Sequence, residues 1–113
     1  MTIAHEHLAG DKGLVVVLEG RLDGMGAPAV EAFCLEQIQA GVVRLLLDLE
    51  GVDYISSAGL RSLLVVAKRL QTVSGGLRLC CLAPMVQEVL SISGLSGLLP
   101  SLPTRQEGIA ALA

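Results

Sequence analysis

The spacing of apolar residues changes along the chain, and each change marks an element. Leu14-Val15-Val16-Val17-Leu18 is a short, mostly β-branched apolar run between Gly13 and Gly20, which predicts a buried strand. An earlier strand over residues 2–8 is expected to pair with it as a hairpin across Gly10-Asp11-Lys12-Gly13. Pro28 then stands where a first helical residue would, Gly41 follows the last one, and Val30, Phe33, Cys34 and Gln37 share a side, predicting a helix between them. Val43 to Leu49 reads as a strand with both faces covered, as in a parallel sheet, and Gly51 to Ser57 as its connection to the next helix. From Ala58 to Thr72, Leu60, Leu63, Leu64, Ala67 and Leu70 recur at helical spacing, with Arg61, Lys68 and Thr72 on the far side. Gly75-Gly76 ends that helix and opens a strand over Leu77 to Leu82. Pro84 begins a third helix ending near Gly94, Leu98 to Leu102 is a last short strand, and Glu107 to Leu112 a small terminal helix. Strands alternating with helices after an opening hairpin predict one α/β domain over residues 1–113, a mixed β-sheet packed by α-helices through right-handed crossovers.

Composition agrees with a single core: the chain has 113 residues, of which 52% are hydrophobic and 17% charged. Apolar runs such as Leu14 to Leu18 and Leu63 to Ala67 fall far short of the roughly 18 to 20 residues that a membrane helix needs, so no bilayer span is expected. A net charge of -3, with Phe33 and Tyr54 as the only aromatics, offers neither a basic footprint nor a stacking platform, which argues against nucleic acid as a ligand. Residues 1–10 carry Glu6 and two histidines where a signal peptide would show a basic end and an apolar core. Cys34, Cys80 and Cys81 form no disulfide framework, so a reducing cytoplasm is expected, with the thiols acting as small core residues.

Candidate catalytic motifs fail on their parts. Gly24-Met25-Gly26-Ala27-Pro28-Ala29 matches the dinucleotide fingerprint, with Asp48 near the distance of a ribose contact. The chain has no room for both halves of a dinucleotide fold, and the polar stretch Gly20 to Asp23 separates the motif from its strand, so no cofactor is expected. His5 and His7 share one face of a strand but lack a third ligand, and no metal is expected there. Ile55 occupies the first glycine position of a nucleophile elbow around Ser57, and no Walker A lysine is present.

What remains is Ser56-Ser57-Ala58-Gly59-Leu60 at the start of the most amphipathic helix. Ser57 fits an N-cap, its oxygen accepting from a free backbone N–H. The same place also suits a modification, because the positive end of the helix dipole tolerates a phosphate on Ser57 without unfolding the domain. Gly59 in the first turn indicates a close approach to the backbone. Val65, on the outward side between Arg61 and Lys68, indicates a docking surface.

These residues resemble the STAS domain family of bacterial anti-sigma factor antagonists. Gly20-Arg21-Leu22-Asp23 resembles the family's Gly-x-Leu-Asp, and Leu47-Asp48-Leu49 with Val52-Asp53-Tyr54-Ile55-Ser56-Ser57-Ala58-Gly59-Leu60 resembles its phosphorylation loop. Gly75-Gly76 and Ser93-Gly94-Leu95 fall at similar turns. The resemblance implies a protein-binding switch without catalysis or cofactor. Unphosphorylated, it holds an anti-sigma factor that is also a serine kinase of the histidine-kinase-like ATPase type, which regulates transcription indirectly; a phosphatase resets it. The implied acceptor is Ser57, with Ser56 as the alternative, and the implied partner-binding set is Asp23, Ser56, Ser57, Ala58, Gly59, Arg61, Val65 and Lys68. Here Ser56 replaces the family's aspartate and Ala58 its second hydroxyl residue. Such a domain can also serve, without phosphorylation, as a scaffold subunit of a stress-signalling or phospholipid-transport complex.

Overall fold

The computed structural model describes residues 1–11 and 13–112. Strands β1 (Thr2–His7) and β2 (Leu14–Leu22) form the expected antiparallel hairpin, with Thr2 opposite Glu19 and His7 opposite Leu14. Its turn runs through a short 3-10 segment at Ala9–Asp11, and Lys12, part of the expected connection, lies outside the described residues. Then follow α1 (Ala27–Gln39), β3 (Arg44–Ile55), α2 (Ser57–Thr72), β4 (Gly76–Cys80), α3 (Pro84–Ile92), β5 (Ser101–Leu102) and α4 (Arg105–Ala111). The sheet order is β1-β2-β3-β4-β5, antiparallel at the first pair and parallel at the other three.

That order decides where the helices go. Each parallel step moves to the adjacent strand in the same direction, and crossovers of one hand return to one face of the sheet. Accordingly α1, α2 and α3 pack on one side, where Val30, Cys34, Ile38, Leu63, Val66, Leu70, Val86 and Leu90 meet Val16, Leu18, Leu45, Leu47, Leu49 and Leu79. The opposite face, with Val15, Leu46 and Cys80, is covered by α4 through Ile109 and Leu112. The triple leucine of β3 is divided between the two layers, Leu46 toward α4 and its neighbours toward the other helices.

Several boundaries differ from the expected ones. β2 runs past Leu18 through Gly20-Arg21 to Leu22, so the polar stretch before the Gly24 turn is mostly strand. β4 ends at Cys80 rather than Leu82, and α4 starts at Arg105 rather than Glu107. Residues 51–55 are not a connection: β3 runs on to Ile55, with register shifts against β2 between Val17 and Glu19 and between Gly20 and Arg21. Bulges break strand alternation, so this half of β3 looks like a loop in sequence while still pairing. At the far margin β5 is only two residues, because Leu98 is exposed and Leu99 turns into the core before Pro100. The Gly75-Gly76 pair does stop α2: a side chain on Gly75 would collide with the Val43 carbonyl, while the Gly76 N–H donates to that same oxygen at 2.9 Å.

Asp48 is the one charged group buried among the described residues. It lies on the α4 face, where Oδ2 accepts from Arg105 Nε at 2.9 Å and lies 2.8 Å from its Nη2, and Oδ1 accepts from the Glu50 N–H at 3.0 Å. The pair ties the start of α4 to the middle of the sheet. It also answers the dinucleotide pattern, since Asp48 faces α4 whereas the Gly24-Met25-Gly26 turn opens α1 on the other side. Because Arg105 remains partly hydrated, Arg105→Gln should cost about 1–3 kcal/mol, less than the loss of a wholly buried pair, from the unpaired carboxylate left behind. Urea unfolding should show this as a lower midpoint with an unchanged slope.

Candidate functional site

The parallel pairing of β2 with β3 ends at Leu22 opposite Ile55, so the residues that follow both strands emerge side by side at the carboxyl edge of the sheet, where α1 and α2 begin. This brings Asp23 into the neighbourhood of Ser56 and Ser57, although 33 positions separate Asp23 from Ser56 in the sequence.

The N-cap of α2 is Ser56, not Ser57 as expected. Ser56 is extended (φ -100°, ψ 176°) and its Oγ accepts from the Gly59 N–H at 3.3 Å. It also donates to the Leu22 carbonyl at 3.4 Å, and the Ser56 backbone N–H donates to the same carbonyl at 2.9 Å. The serine in the family's aspartate position therefore performs the cap that an aspartate would, without its charge. Ser57 becomes the first helical residue, with its side chain exposed. First-turn N–H groups have no partner within the helix and lie at the positive end of its dipole, so Ser57 occupies ground that favours an anion.

Gly59 is buried. A Cβ there would collide with the Leu22 carbonyl and come 2.9 Å from Ile55 Cγ1, so the close approach read from this glycine is made by the protein's own β2, and Gly59 offers a partner no surface. Ala58 is half-buried. Ser57, Arg61, Val65 and Lys68 follow one another along the outer side of α2, with Arg61 and Lys68 exposed and Val65 half-buried rather than fully outward. The core side of the helix is Leu63, Val66, Ala67 and Leu70, with Leu60 and Leu64 at its margins.

Asp23 holds the turn before α1. Its Oδ1 accepts from the backbone N–H groups of Gly26 at 2.9 Å and Met25 at 3.0 Å, and Oδ2 lies 3.5 Å from Arg21 Nε. The two backbone donors, with help from Arg21, keep its carboxyl below the usual aspartate range. The Arg21 guanidinium in turn lies 4.0 Å above the Tyr54 ring, its cross-strand partner. This Arg21–Tyr54 pair beside the site escaped the sequence reading; a cation in β2 and an aromatic in β3 meet only once the bulged register is known. The remaining candidates stay apart from the site. His5 and His7 are exposed on β1, their rings 6.1 Å apart, with His5 against Phe33 at 5.2 Å.

The profile of the STAS domain matches residues 3–108, and the chain belongs to that family. A Bordetella bronchiseptica protein provisionally named anti-sigma factor antagonist BtrV is 44% identical over 101 residues, 89% of this chain and 87% of its own. The anti-sigma factor antagonist SpoIIAA in its unphosphorylated form superposes with a TM-score of 0.80 at 23% identity, covering 97% of this chain and 95% of SpoIIAA. An anti-sigma-factor antagonist (STAS) domain protein from Planctomyces limnophilus superposes at 0.84 with 26% identity, covering 98% and 97%. The expected fold is thus shared along nearly the whole chain. Among the described residues no helix is long and apolar enough to cross a membrane.

Two variants test the construction of the site. Gly59→Ala should destabilise the domain by about 1–3 kcal/mol in chemical denaturation, because the carbonyl it meets is backbone and cannot swing aside. Asp23→Ala should lower Tm at pH 7. A carboxyl whose folded pKa is depressed stabilises above its unfolded value of about 3.9 and loses that effect as pH falls through the lower folded value, so the gap between wild type and variant should close under acid.

Proposed function

We propose that this chain is an anti-sigma factor antagonist switched by phosphorylation of Ser57. Its unphosphorylated form binds, through the outer side of α2 and the adjoining strand ends, an anti-sigma factor that is also a serine kinase of the histidine-kinase-like ATPase type, in the cytoplasm. Binding frees the sigma factor; transfer of phosphate to Ser57 ends it, and a phosphatase restores it. The chain contributes no catalysis of its own. The observation that carries this reading is the division of labour between the two serines: the Ser56 hydroxyl is engaged by Gly59 and Leu22, whereas Ser57 stands exposed at the helix start. Support also comes from the name carried by the BtrV relative and from SpoIIAA, whose phosphorylated form shares the fold at a TM-score of 0.75.

The physics of the switch is local. Phosphate adds about -1.5 to -2 charges in the middle of the contact face. It sits near Asp23, whose carboxyl stays ionised, and at the head of a row that continues with Arg61 and Lys68. Those two cations and the half-buried Val65 suit a partner surface that is acidic around an apolar centre, and a dianion at the end of the row repels such a surface without refolding the domain. Every 1.4 kcal/mol of repulsion and lost fit weakens binding about tenfold.

Incubation with the cognate kinase and ATP, followed by mass spectrometry, should place one phosphate on Ser57 in wild type and none in Ser57→Ala. Ser57→Asp should weaken binding to the kinase by about tenfold or more in calorimetry. Phosphate that persists in Ser57→Ala would move the site to Ser56, and unchanged affinity in Ser57→Asp would remove the electrostatic switch.

A further inference from the structure

Adjacent residues of a strand project to opposite faces of a sheet, so Cys80 and Cys81 at the end of β4 would be expected to divide their thiols between its two sides. They do not. Cys81 leaves the strand with φ +60°, a left-handed conformation that a residue with a side chain adopts at a cost. Its backbone is held there by the N–H donating to the Leu102 carbonyl at 3.2 Å. Asp48 is the direct cross-strand partner of Cys80, and so projects to the same face. As a result two sulfurs and a carboxylate oxygen lie within 4.8 Å of one another. Cys80 and Asp48 are buried and Cys81 half-buried, which makes a site closed behind and open in front.

We propose that Cys80, Cys81 and Asp48 bind one thiophilic divalent cation of the zinc or cadmium type, with water completing its coordination. Three arguments carry the assignment. The first is reach: Zn–S bonds of about 2.3 Å in a tetrahedron put two sulfurs about 3.8 Å apart, so the ligand atoms need to close by only about an ångström from their present limit. The second is charge. Two thiolates and the Asp48 carboxylate sum to three negative charges, which one divalent ion and the Arg105 guanidinium match, and the Glu50 carboxylate near Cys81 adds to the pull on a cation. Arg105, bonded to Oδ2, then orients the carboxylate as an outer partner of the ion. The third is ligand softness: two sulfurs and a single carboxylate do not meet the all-oxygen demand of magnesium or calcium.

Without an ion both thiols stay protonated. Burial pushes Cys80 up to about 12 and also raises Cys81. Loading exchanges two S–H protons for the cation, releases both to solvent, and therefore strengthens as pH rises. Cys34, buried under α1 on the other side of the sheet, has no part in the site and serves as an internal control.

The test is a titration of the reduced, full-length protein with cadmium, followed by thiolate-to-cadmium ultraviolet absorption, with native mass spectrometry for stoichiometry. One ion per chain and release of two protons are expected, unchanged in Cys34→Ser. Cys81→Ser and Cys81→Gly should each weaken binding by roughly tenfold or more. The glycine variant relieves the left-handed backbone while giving up the packing of Cys81 against the α4 face, and circular dichroism with an unchanged thermal midpoint separates loss of a ligand from loss of fold. Asp48→Asn should weaken the complex while leaving the sulfur absorption. Equal affinity in either Cys81 variant, equal loss in Cys34→Ser, or the absence of a one-to-one complex would each overturn the assignment.

Discussion

A single backbone carbonyl, that of Leu22, governs the start of α2. It accepts from the Ser56 N–H and from the Ser56 hydroxyl, and it leaves no space for a side chain on Gly59. The last residue of β2 thereby sets the position and angle of a helix that begins after β3. Exposure of Ser57 follows from this: with Ser56 pulled inward as the cap and Gly59 pressed against the strand, the residue between the cap and the second helical position points away from the sheet. The exposed hydroxyl is a product of packing on either side of it.

The two faces of the sheet have different characters. One carries three helices and the larger apolar core; the other carries a seven-residue helix resting on a few apolar side chains and one ion pair that is buried only on its Asp48 side. Short helices have little stability of their own, so α4 depends on where it is fastened. Thr104 caps it by accepting from the Glu107 N–H at 3.1 Å, and Arg105 anchors it to Asp48. The proposed docking face and the cysteine cluster are thus served by different layers of the same sheet and can be altered independently.

Much of the architecture was legible in the chain. The hairpin, three parallel strands, the helices and the place of the serine motif all follow from apolar spacing and from glycine and proline at element ends. The misreadings have common physical causes. Residues 51–55 pair through a bulged register, which destroys the alternation that reveals a strand. Residues 56 and 57 are both serines, so the sequence alone favours the cap one residue too late, and only the approach to Leu22 distinguishes the two. Gly59 does signal a close approach to the backbone, but the sequence does not show that the approaching group is the protein's own Leu22 carbonyl rather than a partner. Asp48 does carry a signal: a carboxylate inside Leu45-Leu46-Leu47-Asp48-Leu49 demands a counter-charge, but sequence spacing does not point to Arg105, 57 residues away. Cys81 was grouped with the core thiols, and no pattern of residue types foretells a left-handed turn at a cysteine.

The sheet also has two very unequal margins. At β5 it stops after two residues, flanked by Pro100 and Pro103, which have no N–H to offer another strand. At β1 the outer border spans six residues and carries His5, Glu6 and His7 as exposed side chains. Among the described residues β1 is therefore the border with the length to accept a strand from a second copy. Antiparallel pairing of β1 with its own equivalent would use that border on both chains at once, so such edge-to-edge pairing closes at two copies and leaves only the short, proline-flanked β5 borders outward.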